Sequence, residues 1–513
     1  MLQDLRNKMA IRLQLYIIVT IAELFVSIIV HGTYALWMSC TVLFLDIVGF
    51  LTEEKQRRSG KVMPLLVSGG FPTLDANTVQ LSTDCSPLDE KKGVTAVSSV
   101  DVHTKAPIVM VHGIFGFGKG KFGRLSYWAG AELKDDRVLV PDLGSLTSVH
   151  DRAVELFYYL KGGTVDYGMR AQHHGHLRFG RTYAQGHHCE WDENHPIHVV
   201  GHSTGVQVAR CLQQLLAEKA FPGYLNTNED WILSVTALSG ALNGTTRVHV
   251  EGISEEDGRS MQTLCLLQCL RICVLVYEWL DIPILKRYYS FGFDHYNLSR
   301  HKVGFKGLIS LLFDQSGPFA HSNWILPDLS IHSAIKFNSR VKTYPNTYYF
   351  SHATKKTIKI WRWTLPSFFG GMHPLLFLRT WQICLWKFKI PPYEGYRDEE
   401  WKDNDGALNL KSQLFPCIPT THPNQRWGPD LVKDGHIAKP GIWYYEVLEA
   451  DHITFIIDKD RAGVKFDILY DNIFQRCRKE MQRTFGSQRE TGNEVLRAVS
   501  TLSEKSLEQS FGR

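Results

Sequence analysis

The sequence predicts an α/β fold with a mostly parallel central sheet, and three observations carry that expectation. Residues 108–111, 197–200 and 232–238 are short apolar runs of the kind that form strands buried on both faces. Segments such as 206–216 carry apolar residues at helical spacing. Two of the runs end in glycine-rich turns, His112-Gly113 and Gly201-His202-Ser203-Thr204-Gly205, where a strand must bend sharply into the next segment.

At 513 residues the chain can hold one large single-core domain with extensions. Its 44% hydrophobic and 21% charged residues are ordinary globular values, and the formal net charge of +5 is small for the length. No basic stripe with interleaved aromatics is read along the chain, so a nucleic-acid partner is not implied. Ten cysteines occur without a CxxC pair or finger spacing, which argues against a zinc finger or disulfide scaffold and for a mostly reduced compartment. Cys265, Cys269 and Cys273 share a helical face and read as small packing residues.

Taken in order, residues 1–52 are the most apolar. Runs at 13–30 and 34–51 each approach the minimum length to cross a bilayer, with His31, Gly32 and Thr33 between them. Arg6, Lys8 and Arg12 precede the pair, and Lys55, Arg57, Arg58 and Lys61 follow it. Basic residues on both sides favour a membrane hairpin with both ends cytoplasmic. A single signal anchor with the remainder lumenal, or an in-plane anchor, stays open. Residues 53–105 mix charge, Ser, Thr, Gly and Pro without periodicity and read as a linker.

The main domain is expected over 106–480. The strand at 108–111 runs into His112-Gly113-Ile114. A strand followed by G-x-S-x-G and a helix is a nucleophile elbow, which projects Ser203 with its backbone strained. The helix start favours developing negative charge. The backbone amides of Ile114 and Thr204 are the candidate oxyanion donors, fixed before charge develops. An apolar helix at 264–280, within an insertion of about 250–345, is either a core helix or a lid with a greasy face, and its place after the central strands favours the lid. Asp405, in Asn404-Asp405-Gly406, is the candidate acid. His452 follows the last strand, expected within 441–450, and is the candidate base. The order Ser203, Asp405, His452 is that of the α/β-hydrolase fold. A final helix is expected over 466–480, with a loose tail over 481–513.

From about 106 to 479 the chain resembles the large thermostable bacterial lipases and the staphylococcal lipases, with plant relatives that carry an N-terminal hydrophobic extension. The stretches that carry the resemblance include VHGIFGFGKGKFGRLSYWAG (111–130), HDRAVELFYYLKGGTVDYG (150–168), HLRFGRTY (176–183), HVVGHSTGVQVAR (198–210), FDHY (293–296), DNDGALN (403–409) and ADHITFI (450–456). The resemblance implies a serine lipase hydrolysing acylglycerol esters through an acyl-enzyme, with Ser203 as nucleophile, Asp405 as acid, His452 as base, and Ile114 and Thr204 at the oxyanion positions. A lipid acyltransferase or a phospholipase would use the same triad. A non-catalytic binding protein on the same fold would usually show a broken one.

The resemblance also implies a structural zinc held by two Asp and two His. Asp151 and Asp294 match the carboxylates and His176 the second histidine. The first histidine position is Arg170 here, so His173 or His174 substitutes only if the loop shifts. The family's calcium site is not expected, since Thr454 stands where the bacterial enzymes have glutamate. The implied partners are a lipid ester and a membrane. The expected location is the endoplasmic reticulum or a lipid-droplet surface, with the catalytic domain cytoplasmic.

Overall fold

The computed structural model describes residues 106–122, 125–367, 371–428 and 437–480. The expected anchor (1–52), linker (53–105) and tail (481–513) lie outside the described residues. No helix among the described residues is long and apolar enough to cross a membrane.

Eleven strands are described: β1 Ile108–Val111, β2 Val138–Leu139, β3 Gly163–Asp166, β4 Phe179–Tyr183, β5 Ile197–His202, β6 Ile232–Leu238, β7 Tyr348–Lys355, β8 Thr357–Ile360, β9 Trp363–Pro366, β10 Asn424–Arg426 and β11 Trp443–Glu449. Six longer helices matter for the site: α1 Val149–Lys161, α2 Gly205–Ala217, α3 Leu266–Leu280, α4 Arg300–Leu312, α5 Pro374–Leu385 and α6 Val464–Gln475. Seven strands form one sheet in the order β10-β11-β7-β6-β5-β1-β2. Every pairing in it is parallel, so all its strands end on the same edge.

The strand pleat divides the apolar residues between two cores. Val109, Val111, Val199 and Val235 pack on one side with α1 and α2. Ile108, Met110, Val200 and Leu238 pack on the other, against Trp128 and the α6 residues Phe466, Tyr470 and Ile473. Because both faces are covered, β1, β5 and β6 are buried throughout, which explains their continuous rather than alternating apolar sequence.

The segment between β6 and β7 is a helical insertion that includes α3 and α4. α3 buries Leu267, Arg271, Val274, Leu275 and Glu278, while Ile272 is exposed; Phe305 and Ile309 of α4 are exposed too. Of the three cysteines expected to pack there, Cys265 is buried, Cys269 half-buried and Cys273 exposed. A helix of strong mean hydropathy presents several residues per turn, and its position against one neighbour cannot bury them all. The last helix starts at Val464, before the expected 466, and passes into a wider turn over Arg476–Glu480.

Candidate active site

The elbow forms at the end of β5, the third strand from the β2 edge of the sheet. Ser203 adopts φ +55°, the left-handed region that costs a residue with a Cβ steric energy. Its backbone is held by Ser203 N–H donating to Leu238 O (2.9 Å) and by Ala241 N–H donating to Ser203 O (3.1 Å). The flanking glycines are required by contact. A Cβ on Gly201 would lie 2.4 Å from Val206 N, and one on Gly205 would lie 2.1 Å from Val111 O. Gly113, at the end of β1, approaches Ser203 so closely that a Cβ there would lie 2.9 Å from the serine Cβ. The amides of Ile114 and Thr204 donate to no other group among the described residues.

Asp405 is fully buried and its two oxygens take five hydrogen bonds. Oδ1 accepts from the amides of Ala407 (2.9 Å) and Leu408 (2.8 Å). Oδ2 accepts from Thr354 Oγ1 (2.7 Å), Gln413 Nε2 (3.1 Å) and His452 Nδ1 (2.8 Å). Burial pushes the Asp405 carboxyl up, but the His452 imidazole and these donors outweigh it and hold it below the ordinary carboxylate value. The His452 amide also donates to Asp405 O (3.0 Å), so acid and base share two bonds.

A second chain of bonds ties His452 to the elbow. The amide of Gly113 donates to Tyr127 Oη (3.0 Å), Tyr127 Oη donates to His202 Nδ1 (2.7 Å), and His202 Nε2 donates to His452 O (3.0 Å). The direction is fixed because a backbone amide can only donate and a carbonyl can only accept. The rings of His202 and His452 lie 4.8 Å apart. Burial, reinforced by His452, pushes His202 down to about 3, so it stays neutral and keeps this tautomer. Three loops at one sheet edge are thereby linked: the turn after β1, the elbow after β5 and the loop after β11.

Arg152 of α1 lies fully buried beneath the same turns. It donates to Thr204 Oγ1 (2.9 Å) and to His112 O (2.5 Å), bracing Thr204, which carries one candidate oxyanion amide, and His112, two residues before the other. Tyr127, His202, Arg152, Thr354 and Gln413 are the functional neighbours that sequence reasoning missed. His202 and Arg152 lie inside stretches already singled out; Thr354 and Gln413 carry no local signal.

The loop of His452 is tied down separately. Asp451 accepts from the amide of His373 (2.8 Å), from Thr454 Oγ1 (2.8 Å) and from Arg461 (2.5 Å).

A distinct cluster begins one residue before Arg152. Asp151, His176 and His295 each bring a ligand atom within 4.8 Å of one another. Asp151 Oδ1, His176 Nε2 and His295 Nε2 are buried and have no hydrogen-bond partner, and neither has His174 Nδ1 nearby. His176 Nδ1 donates to Leu177 O (2.9 Å), which leaves Nε2 with its lone pair free. Asn323 Nδ2 steadies the other Asp151 oxygen at 2.8 Å. Burial pushes both His174, to about 4, and His176 down, toward the neutral form that ligates metals. Unpaired lone pairs of one carboxylate and two or three imidazoles suit a borderline cation such as zinc.

This set differs from the expected one at two positions. Asp294 does not join; it is largely exposed and lies 3.5 Å from Lys286, while the adjacent His295 is buried in the cluster. Asp294 and His295 share a single tight 3₁₀ turn, Asp294–Tyr296, which sends neighbouring side chains in different directions. His173 is exposed and stays outside the group, whereas His174, stacked on His176 at 6.5 Å between rings, faces it. Asp151 and His176 both belong to the cluster.

Residues 104–245 match the family described as the lipase-like, C-terminal domain. The chain is 25% identical over 438 residues to Lipase 2 of Staphylococcus aureus, covering 78% of this chain and 58% of that one. It is 29% identical over 408 residues to a lipase of Staphylococcus hyicus, covering 72% and 57%. The chain thus spans under two thirds of the length of these relatives. Among solved structures, Staphylococcus hyicus lipase superposes with TM-score 0.57 at 24% identity, over 77% of this chain and 97% of the other. EstA from Clostridium botulinum gives 0.54 at 25%, over 71% and 87%, and lipase 1 from Pelosinus fermentans gives 0.53 at 25%, over 72% and 99%. The chain is related to the staphylococcal lipases and has a lipase-like α/β fold with a parallel central sheet.

Proposed function

We propose that this chain is a serine carboxylic ester hydrolase of the triacylglycerol lipase type. The observation that carries the reading is the buried Asp405–His452 pair bonded through His202 to the strained elbow of Ser203. In this mechanism His452 takes the proton of the Ser203 hydroxyl while Asp405 fixes its ring and stabilises the imidazolium. The serine oxygen attacks the ester carbonyl, and the carbonyl oxygen gains charge against the amides of Ile114 and Thr204. The alcohol leaves with the proton from His452, and water repeats the cycle on the acyl-enzyme. The positive charge of buried Arg152, next to Thr204, favours the anionic intermediate.

The insertion between β6 and β7 acts as the lid in this reading, supported by the exposed Ile272, Ile284, Phe305 and Ile309. Asp151, His176 and His295, with His174 as fourth donor, would hold zinc. Its contribution there would be structural, since those residues come from the start of α1 and from the loops at 176 and 295. Residues 1–52 serve as the membrane anchor, with the catalytic domain on the cytoplasmic side of the endoplasmic reticulum or a lipid droplet.

The test is release of fatty acid from a long-chain triacylglycerol by the purified chain and by Ser203→Ala, with and without added lysolipid. Hydrolysis that Ser203→Ala lowers by about a million-fold supports the reading. Hydrolysis unchanged by Ser203→Ala contradicts it, and acyl transfer to lysolipid in preference to water reassigns the acceptor.

A further inference from the structure

The small net charge of the whole chain conceals an uneven distribution. Residues 355–393 contain seven Lys or Arg, four Trp and no Asp or Glu. It is a basic stretch with interleaved aromatics, which the net charge of the whole chain does not show. It builds the β8–β9 hairpin and α5, which pack together. β8 follows β7 after one residue, so the hairpin stands on the sheet edge that also carries Ser203 and His452.

The tip of the hairpin is unusual in its chemistry. Ile360 pairs with Trp363 across a two-residue turn of Trp361 and Arg362. Trp361 takes φ +57°, a position that hairpin turns normally give to glycine. It is 98% exposed, Trp363 is 57% exposed, and Ile360 beside them is exposed too. A bulky aromatic held in a strained turn and kept out of the core serves neither the turn nor packing. Trp381 and Leu385, one turn apart on α5, and Ile390 continue the exposed apolar surface.

The stretch itself carries only positive side chains, and the carboxylates that meet it come from outside: Glu255 accepts from the Lys389 amide (2.8 Å) and Asp398 from the Phe388 amide (3.2 Å). Lys355 and Lys359 pair with Asp403, and Lys356 with Glu449. Arg362, Lys387 and Lys389 are exposed and form no side-chain ion pair among the described residues. Indole rings flanked by unpaired cations match the headgroup region of an anionic bilayer, where Trp settles at the interface and Lys and Arg meet lipid phosphate and carboxylate.

We propose that the β8–β9 hairpin, with the adjoining face of α5, docks on an anionic phospholipid surface and turns the catalytic edge of the sheet toward it. Trp361 and Trp363 enter the interface, and Arg362, Lys387 and Lys389 give the preference for negative lipid. This mode of contact uses a different element from the insertion between β6 and β7.

Hydrogen–deuterium exchange on the full chain, with vesicles of phosphatidylcholine alone or mixed with phosphatidylserine, tests it. The expected result is slowed exchange of residues 357–366 with the mixed vesicles and not with phosphatidylcholine. The effect falls about tenfold in Trp361→Gly/Trp363→Thr and in Lys387→Glu/Lys389→Glu, and fades with salt. Trp361→Gly suits the local backbone, and all four sites are exposed, so hydrolysis of a soluble short-chain ester stays at the wild-type rate. Equal protection by both vesicle types, no protection, or protection that survives both double variants would overturn the proposal. So would protection of these residues by an oligonucleotide alone, or protection without vesicles that rises with protein concentration.

Discussion

Two buried polar clusters meet at the first turn of α1 and differ in how their atoms are satisfied. Around Asp405 and His202, both carboxylate oxygens, both ring nitrogens and the Tyr127 hydroxyl all have partners. Around Asp151, a carboxylate oxygen and imidazole nitrogens of His174, His176 and His295 have none. A buried polar atom without a partner costs about 1–3 kcal/mol, more if charged. The first cluster therefore holds its own geometry, as a site that must be preorganised requires, although Nε of the Arg152 beneath it has no partner. The unsaturated one leaves lone pairs open to a cation, as the proposed zinc site requires, with His150 Nδ1 and His295 Nε2 3.6 and 3.7 Å from the Asp151 oxygens. Position in the fold does not separate them, since Asp151 and Arg152 are consecutive; the inventory of donors and acceptors does.

The comparison breaks most visibly at Asp405. Asp405→Asn keeps the size of the side chain but removes the charge and reverses one hydrogen-bond direction. The expected loss in kcat is about four orders of magnitude. Steady-state hydrolysis with circular dichroism on the same sample checks it. A loss below tenfold would mean that the saturated network is scaffolding only.

Chelation probes the other cluster. If a zinc ion completes Asp151, His176 and His295, a chelator lowers stability by about 3 kcal/mol, the linkage free energy of a site held well above its dissociation constant. Elemental analysis of the purified chain should find zinc near one per chain, and His295→Ala should lose it while His173→Ala retains it. Melting curves with and without chelator should then coincide for His295→Ala. Zinc retained by His295→Ala and lost by Asp294→Asn would restore the carboxylate expected from the sequence.

These two clusters also mark what was legible. The elbow, the strand end at His112-Gly113, and Ser203, Asp405 and His452 stand in short stretches whose residue types require one another locally. Thr354 and Gln413 reach Asp405 from 51 and 8 residues away, and Tyr127 reaches His202 from 75. Such bonds depend on register between strands that no local pattern encodes. The choice between Asp294 and His295 turns on a single residue of rotation in a 3₁₀ turn, finer than sequence matching resolves. The hairpin at Trp361 was hidden by averaging charge over the whole chain.

Acidity sharpens the contrast further. His202 has its pKa depressed from the ordinary 6.5 to about 3. Below pH 6.5 the unfolded chain takes up a proton that the folded chain refuses, so stability falls as pH drops toward 3. At pH 5 that loss is about 2 kcal/mol. In His202→Gln this contribution is absent, so the stability advantage of wild type over the variant should shrink by about that amount between pH 7 and 5. Urea denaturation at the two pH values reads it; an unchanged gap would mean that His202 is charged in the folded state.

The smallest effect is expected from Thr204→Val, which removes the hydroxyl that Arg152 bonds and leaves the Thr204 amide in place. A fall of about tenfold in kcat, near 1.4 kcal/mol, with KM unchanged, would assign Arg152 a positioning role at the oxyanion amides. A fall in KM alone would not.

The central claim, that Ser203 is activated by His452 and Asp405, is tested most directly by the rate of labelling with a serine-directed fluorophosphonate, mapped to its residue. The account predicts a single modified serine, Ser203, and a labelling rate that collapses in His452→Ala and Asp405→Asn. Modification of another serine, or of Ser203 at an unchanged rate in both variants, would contradict it.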